Sequence, residues 1–306
     1  MATATPVAAA PGVATAPVAT RATRLGPVAL VVAGGLSVQF GSAVAVLLMP
    51  RAGALGVVTL RLILAAAVLL IACRPKVRGY SRADWGTVLA FGTAMSGMNI
   101  LFYLSAARIP LGAAVTLEVL GPLALSVLAS RRLVNLLWAG LALAGVVLLS
   151  GLGSGGLGRL DPLGAGFALA AGAMWATYIV FSARTGRRFP QADGLALAMG
   201  VGAVISLPFG IVSAGDKLLV PSTIGLGLGV ALMSSVLPYT LELLALRRLP
   251  APTFAILMSL EPAIAATAGF LVLDQSLGLT DALAIALVIA ASMGAVRTQV
   301  GRRAKS

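Results

Sequence analysis

The chain has 306 residues, of which 59% are hydrophobic and 10% are charged, and its mean hydropathy is +1.03. Soluble domains contain roughly 45 to 50% apolar residues, so this composition excludes a water-soluble protein. The net charge of +13 comes from basic residues scattered between apolar runs. A nucleic-acid surface would need them clustered on one face, so no nucleic-acid partner is expected.

Residue types with special chemistry are few. The chain has no histidine and a single cysteine, Cys73, which excludes an internal disulfide and removes the commonest metal ligand. We therefore expect no metal and no other cofactor, and any proton chemistry must use carboxylates. An intramembrane enzyme is disfavoured for the same reason, because the chain lacks both a histidine base and a paired aspartate motif.

The apolar runs predict an all-α membrane protein with ten transmembrane helices. Residues 1–26 lack the basic start and apolar stretch of a signal peptide and predict a disordered tail. A bilayer core about 30 Å thick needs around 20 residues per helix, which leaves room for ten helices but for no soluble domain. The helices are predicted at 27–49, 55–73, 86–107, 110–130, 134–151, 162–183, 193–213, 222–246, 250–272 and 279–297, before a cytoplasmic tail at 298–306.

The predicted loops alternate in charge. One side of the membrane carries 17 of the 22 basic residues, and Arg61 lies within a helix. Basic loops stay on the cytoplasmic side, so both termini are predicted to be cytoplasmic, in a bacterial-type inner membrane. The other side carries only Arg51, Arg108, Arg159 and Lys217.

An internal repeat relates the two halves of the chain. An offset of 140 residues superposes Pro110 and Pro122 on Pro250 and Pro262, and each set is preceded by an arginine. Because the offset spans five helices, the two five-helix repeats, 27–151 and 162–297, are predicted to cross the membrane in opposite directions. Inverted repeats of this kind favour transport by alternating access, and duplication within a membrane scaffold is the alternative.

Four ionisable side chains lie within the predicted helices, namely Arg61, Glu118, Glu242 and Glu261. Each charge at the bilayer centre costs about 2.5 to 3.5 kcal/mol, so these groups must face a wet cavity or each other. Counted at about 1.5 Å per residue, Glu118 and Glu261 lie at one depth, roughly 12 to 14 Å from the outer face. Glu242 lies nearer the cytoplasm and is equally explained as a partner of the inner arginines.

Other polar residues share the depth of the two deep carboxylates. The same count brings Arg61, Asn99 and Gln39 to this level. Pro122 and Pro262 each free a backbone carbonyl nearby, so a helix break is predicted at both carboxylates. Five polar side chains from five helices are therefore expected in one layer.

This layer suits a zwitterionic solute. An amino acid needs an anion for its ammonium group and a cation for its carboxylate, and Glu118 or Glu261 with Arg61 offers that pair. A desolvated carboxylate is also a candidate proton carrier, so Glu118, Glu261 and Glu242 are candidates for proton coupling. A purely structural ion pair between Arg61 and a glutamate is the alternative.

Two further features concern the cavity wall and assembly. Gly140 and Ala144 have the small-xxx-small spacing that favours packing on a neighbouring helix or a second subunit, so a homodimer is an option. Four scarce aromatic residues with a polar tip are candidate cavity walls: Tyr103, Trp175, Tyr178 and Tyr239.

Four segments carry a resemblance to a known family: GMNILFYLSAARIPLGAAVTLEVLGPLAL (97–125), MWATYIV (174–180), LPYTLELLALRRLP (237–250) and FAILMSLEPAIAA (254–266). Over residues 27–297 the chain resembles the EamA branch of the drug/metabolite transporter superfamily, and within it the RhtA-type threonine and homoserine exporters. The resemblance implies ten helices in two pseudo-symmetric halves, a central cavity and export driven by the proton gradient. The cavity residues it implies are Asn99, Tyr103, Glu118, Trp175, Tyr178, Tyr239 and Glu261.

The substrate expected from these features is a small polar solute, first of all an amino acid such as threonine or homoserine. Another metabolite or a drug is the alternative, since related carriers move very different molecules. A nucleoside or a sugar phosphate is a further option, but a phosphate substrate would favour more than one cation in the cavity, and only Arg61 is predicted there.

Overall fold

The computed structural model describes residues 21–130, 133–150, 160–190, 192–246, 248–249, 254 and 257–303. Within these ranges the chain is helical and contains no β-strand, as predicted. Residues 1–20 of the predicted disordered tail lie outside the described residues, whereas residues 21–26 already belong to the first helix. The helices are α1 (Arg21–Cys73), α2 (Arg82–Ala106), α3 (Leu111–Glu118), α4 (Leu120–Ser130), α5 (Leu133–Ser150), α6 (Pro162–Thr185), α7 (Asp193–Ala214), α8 (Pro221–Ala231), α9 (Leu237–Leu246), α10 (Glu261–Leu273) and α11 (Leu279–Arg303).

Six helical segments of the described chain are long and apolar enough to cross a membrane. They are Gly26–Cys73, Arg82–Ala106, Pro162–Thr185, Asp193–Leu219, Pro221–Glu242 and Leu279–Arg297. Shorter apolar helices lie at Leu111–Leu125, Leu137–Leu148 and Glu261–Leu273.

Helix α1 is too long for one crossing. Its apolar stretch of 48 residues would extend about 72 Å at 1.5 Å per residue, roughly twice a bilayer core. The backbone leaves the helical conformation at Gly53 (φ 68°, ψ 164°), a region that only glycine adopts without strain, three residues after Pro50. The predicted helices 27–49 and 55–73 fall on either side of this break, and we call them the first and second parts of α1.

Both carboxylates predicted at helix breaks lie at helix ends. The predicted helix 110–130 is divided, because α3 ends at Glu118 and α4 begins at Leu120. Pro122 has no N–H to donate to the Glu118 carbonyl, which explains the division. Helix α10 begins at Glu261 with Pro262 in its first turn, and most of the predicted segment 250–256 lies outside the described residues.

The predicted helix 222–246 is also interrupted. A π-helical turn, Leu232–Val236, separates α8 from α9. Such turns insert one extra residue into a helix and commonly occur at functional sites, because they redirect side chains and carbonyl groups.

The helices pack in pairs around a core of alanine, valine and leucine. Helix α2 packs along α6, α5 along α11, α3 on α10, and α1 on α7, α8 and α9. The second part of α1 contacts α7, where the Thr59 hydroxyl donates to the Ser206 carbonyl at 2.8 Å. The first part contacts the π-helical turn, where the Ser37 hydroxyl donates to the Met233 carbonyl at 2.6 Å.

Ion pairs connect α2 and α6 at both ends. Arg108, after α2, contacts Asp161 at 3.0 Å, and Asp161 also caps α6 by accepting from the Leu163 amide. At the other end, Arg188 lies 3.7 Å from Asp84, the residue that forms a capping box with Ser81. The hydrogen bond from Arg108 holds the pKa of Asp161 below its ordinary value.

Candidate functional site

A central cavity of about 120 Å³ lies between α1, α2, α3, α6, α9 and the start of α10. Sites for drug-sized ligands usually enclose roughly 300 to 1,000 Å³, so this cavity fits a small solute or several water molecules. Nine residues singled out from the sequence line it: Gln39, Arg61, Asn99, Trp175, Tyr178, Tyr239, Glu118, Glu242 and Glu261.

Tyr103, the tenth residue singled out from the sequence, does not line the cavity. It is 1% exposed and lies behind Arg61, with the guanidinium 5.5 Å from its ring centre. Its contact with any solute is therefore made through Arg61. Tyr103 lies one turn after Asn99 on α2, so the sequence places both on one face of the helix. That position fits a residue that lines the cavity and equally one that supports a neighbouring side chain.

Further lining residues were missed from the sequence. Ser42 follows Gln39 by one helical turn, so the period of α1 could have identified it. The others are apolar or proline, and such residues are common on every face of a membrane helix, so they carry no signal. The missed lining residues are Val38, Ser42, Met98, Phe102, Pro238 and Met258.

Arg61 is held by uncharged partners. Its Nε donates to the Ser235 hydroxyl at 2.9 Å, its Nη1 to the Tyr103 hydroxyl at 3.1 Å, and its Nη2 to the Ser234 carbonyl at 2.6 Å. Ser234 and Ser235 both belong to the π-helical turn, whose irregular backbone aims a carbonyl and a hydroxyl at the guanidinium. A guanidinium has five N–H donors, so these bonds leave two for a solute.

The deep carboxylates are buried without a partner of opposite charge in contact. Glu118 is 8% exposed and Glu261 is 7% exposed. Among the described residues, neither forms a hydrogen bond or an ion pair within 4.0 Å, and Arg61 forms no ion pair either. The alternative of a structural ion pair between Arg61 and a glutamate therefore has no support in this arrangement.

The charges nevertheless lie within electrostatic range of one another. Arg61 acts on Glu118, while Glu261 interacts with Glu118 and Glu242. A buried charge without a paired group costs several kcal/mol, so this arrangement favours a bound ion or proton in the cavity. One cation and three carboxylates together match a solute that carries both an ammonium and a carboxylate group.

The amide side chains add hydrogen-bonding groups at the same wall. Asn99 Nδ2 donates to the Met95 carbonyl at 2.8 Å. Gln39 is 5% exposed, and its Oε1 has no hydrogen-bond partner among the described residues. A buried oxygen without a partner is uncommon in folded proteins, so Gln39 offers an acceptor for a donor on a solute.

A profile of the EamA-like transporter family matches residues 162–297. The threonine/homoserine exporter RhtA of Salmonella typhimurium strain LT2 is 42% identical over 272 residues, which cover 89% of this chain and 92% of the relative. The Escherichia coli K12 threonine/homoserine exporter RhtA is 41% identical over the same lengths. The chain belongs to the EamA-like transporter family.

Membership of the EamA-like family and the six long apolar helices identify a multi-pass membrane protein. A solved crystal structure resembles the chain with a TM-score of 0.56 and 22% sequence identity, and the match covers 91% of this chain and 99% of the solved one. At this identity the likeness concerns the fold alone.

Proposed function

We propose that this chain exports threonine, homoserine and similar small amino acids across a bacterial-type inner membrane, in exchange for protons. The observation that carries the proposal is the central cavity, in which Glu118 and Glu261 face the solute space beside an Arg61 that keeps two free donors. The two RhtA relatives, with their names as threonine/homoserine exporters, support the substrate class.

The cavity supplies one partner for each group of the substrate. The α-carboxylate binds the two free N–H groups of Arg61, because a guanidinium matches a carboxylate with two parallel hydrogen bonds. The α-ammonium binds Glu118 and Glu261. The hydroxyl of threonine or homoserine donates to Gln39 Oε1, and this bond distinguishes these substrates from amino acids with an apolar side chain.

Proton coupling follows from competition for the same carboxylates. Three ionised glutamates with one arginine leave excess negative charge in a buried cavity, and either a proton or the substrate ammonium can reduce it. Binding of one therefore favours release of the other. This competition accounts for exchange through Glu118, Glu261 and Glu242 without any metal or other cofactor.

Two inverted five-helix repeats, with ten crossings in all, provide the alternating access in this proposal. Helix packing supports it in part, since three of the five predicted helices of the first repeat pack on their counterparts one repeat later: the second part of α1 on α7, α3 on α10, and α5 on α11. Helix α2 packs instead along α6. Both termini lie in the cytoplasm. A homodimer through Gly140 and Ala144 stays a prediction, and both residues face outward from α5.

The direct test is release of labelled solutes from cells that express the chain. We expect faster release of threonine and homoserine than from control cells, and loss of the difference when an uncoupler collapses the proton gradient. A panel with valine and a sugar phosphate checks the substrate class. Release of only the non-amino-acid solutes would replace this function with export of another metabolite or drug.

Charge removal at the carboxylates tests the site. We expect Glu118→Gln and Glu261→Gln each to reduce threonine export at least about ten-fold, because a charged hydrogen bond contributes roughly 1.5 to 3 kcal/mol. The amount of protein in the membrane, measured by immunoblot, is expected to stay unchanged, because glutamine has the same shape as glutamate. Wild-type export by both variants would show that the carboxylates are structural.

A further inference from the structure

A second cavity of about 190 Å³ lies beside the central one, next to the connection between α6 and α7. We call it the inner cavity. Its wall includes Ser182 and Thr185 of α6 and Phe189 of the connection. The connection also carries Arg187 and Arg188, and basic loops of this kind face the cytoplasm.

Three side chains separate the two cavities. Tyr178, Tyr239 and Glu242 line both the central and the inner cavity. A solute in either space can therefore contact the same Glu242 carboxylate.

The inner cavity contains one buried polar group with no partner of its own. Thr185 is 2% exposed, and its Oγ1 has no hydrogen-bond partner among the described residues. Buried hydroxyl groups normally have a partner, so this one is available to a ligand. Ser182 lies one turn earlier on α6 on the same wall, and its hydroxyl is hydrogen-bonded to the Tyr178 side chain.

The charge of the inner cavity determines whether the cavity binds the ammonium end or the carboxylate end of the solute. Glu242 is the only charged side chain among the described residues that line it. The central cavity differs, because there Arg61 is present to bind a carboxylate. An anionic site with hydroxyl groups and no cation favours an ammonium group.

We propose that the inner cavity is a second binding site, which receives the ammonium end of the amino acid from the cytoplasm and passes it to the central cavity along Glu242. The proposal rests on the proposed function for the identity of the solute and the direction of travel. In this view Glu242 binds the ammonium in the inner cavity and as the solute enters the central cavity. Glu118 and Glu261 bind it there once the carboxylate has reached Arg61.

The start of α2 closes one side of the inner cavity. The rings of Tyr80 and Phe189 lie 4.2 Å apart, and Arg188 is 3.7 Å from Asp84. Phe189 is 4% exposed, so these contacts hold the α6–α7 connection against α2 beside the cavity. A solute reaches the inner cavity from the face of the membrane on which this connection lies.

The test uses thiol labelling, because Cys73 is the only cysteine of the chain. In a Cys73→Ser background, Ser182→Cys places a thiol of nearly the same size in the inner cavity, and Lys76→Cys provides an exposed control on a basic loop. A membrane-impermeant maleimide is applied to inside-out and right-side-out vesicles. We expect both cysteines to react from the cytoplasmic face.

Protection by solute identifies the binding site. Threonine at ten times its dissociation constant is expected to slow labelling of Ser182→Cys about ten-fold, and to leave Lys76→Cys unaffected. When Glu242→Gln is added, the threonine concentration that gives half-maximal protection is expected to rise about ten-fold or more, because a charged hydrogen bond is lost. If Ser182→Cys does not reach the membrane, Ala192→Cys on the same cavity wall takes its place.

The outcomes separate this proposal from the proposed function. Three results would overturn the inner site. Ser182→Cys could fail to be labelled, or it could react only from the face opposite to Lys76→Cys. Threonine could also protect Ser182→Cys equally with and without Glu242→Gln. Methylammonium is included as a probe with no carboxylate. If methylammonium protects through Glu242 but threonine neither protects nor is exported, the inner site stands and amino-acid export fails.

Discussion

At the level of single residues, Arg61 shows how a buried charge is held by uncharged partners. Its three hydrogen bonds go to a hydroxyl of Ser235, a carbonyl of Ser234 and the phenol of Tyr103, none of which carries a charge. These partners fix the position of the guanidinium without neutralising it. The positive charge therefore stays available in the cavity.

This arrangement predicts that lysine cannot replace Arg61. An ammonium is a point charge that cannot make three bonds in fixed directions and still present two donors to a carboxylate. We expect Arg61→Lys to reduce the initial rate of threonine transport in proteoliposomes at least about ten-fold. This is the effect expected when one hydrogen bond to a charged group is lost. Arg51→Lys, at an exposed position, is the control and is expected to keep the wild-type rate. Equal rates for the two variants would contradict a carboxylate-binding role.

At the level of helices, close packing positions Glu118. A Cβ atom on Gly172 of α6 would lie 2.5 Å from the Glu118 carbonyl oxygen, which is closer than van der Waals contact allows. The break between α3 and α4 thus lies directly against α6. This contact holds the end of α3, and with it the carboxylate, in the central cavity.

A methyl group at this contact is expected to disturb both stability and transport. We expect Gly172→Ala to destabilise the protein by about 1 to 3 kcal/mol, because extra volume at a tight contact forces the backbone to move. The midpoint of thermal unfolding in detergent and the rate of threonine transport measure the two effects. Gly166→Ala on the same helix is the matched control, since nothing lies within 4 Å of its Cβ position. Equal midpoints would show that the contact is not tight in the folded protein.

The start of α6 gives a pH-dependent prediction. Asp161 accepts hydrogen bonds from Arg108 and from the Leu163 amide, and these bonds lower the pKa of its carboxyl group. A lowered pKa in the folded state stabilises the protein above the unfolded value, and the stabilisation is lost as the pH falls through the folded pKa. We expect Asp161→Ala to lower the unfolding midpoint at neutral pH more than Asp161→Asn, which can still cap the helix.

The same variants provide the check in acid. The difference between wild type and Asp161→Asn is expected to shrink as the pH falls below the ordinary carboxyl value of 3.8. It is expected to disappear only below the lowered folded-state pKa, where the wild-type side chain is protonated in the folded protein as well. A difference that persists unchanged in acid would mean that the charge of Asp161 does not contribute.

At the level of the whole molecule, the proposed inverted repeat predicts that corresponding loops of the two halves lie on opposite faces of the membrane. Lys76 lies between the second part of α1 and α2. The repeat offset of 140 residues aligns it with the residue before Lys217, which lies between α7 and α8. Both side chains are exposed. In the Cys73→Ser background, we expect Lys76→Cys to react with an impermeant maleimide from the cytoplasm and Lys217→Cys from outside. Labelling of both from one face would exclude an inverted arrangement.

Much of the architecture could be predicted because it depends on local properties of the chain. Pro122 and Pro262 lack the N–H that a helix needs, so the breaks beside Glu118 and Glu261 were predicted and are confirmed. The position of Tyr103 could not be predicted from the sequence. Whether its side chain lines the cavity or supports Arg61 depends on how α2 is rotated against α1. Ser234 and Ser235 can bind Arg61 because they lie in the π-helical turn. The residues around them in the sequence do not indicate that such a turn forms.

The sequence by itself determined that the chain is a helical membrane protein, where its charges are buried and where its helices break. Those properties follow from hydropathy, from the cost of charge in lipid and from the missing N–H of proline, all of which act residue by residue. Only the tertiary structure decided that Arg61 is held by neutral partners, that no glutamate pairs with it, and that Glu242 touches two cavities. These relations join residues far apart in the chain, and the packing of whole helices against one another determines them.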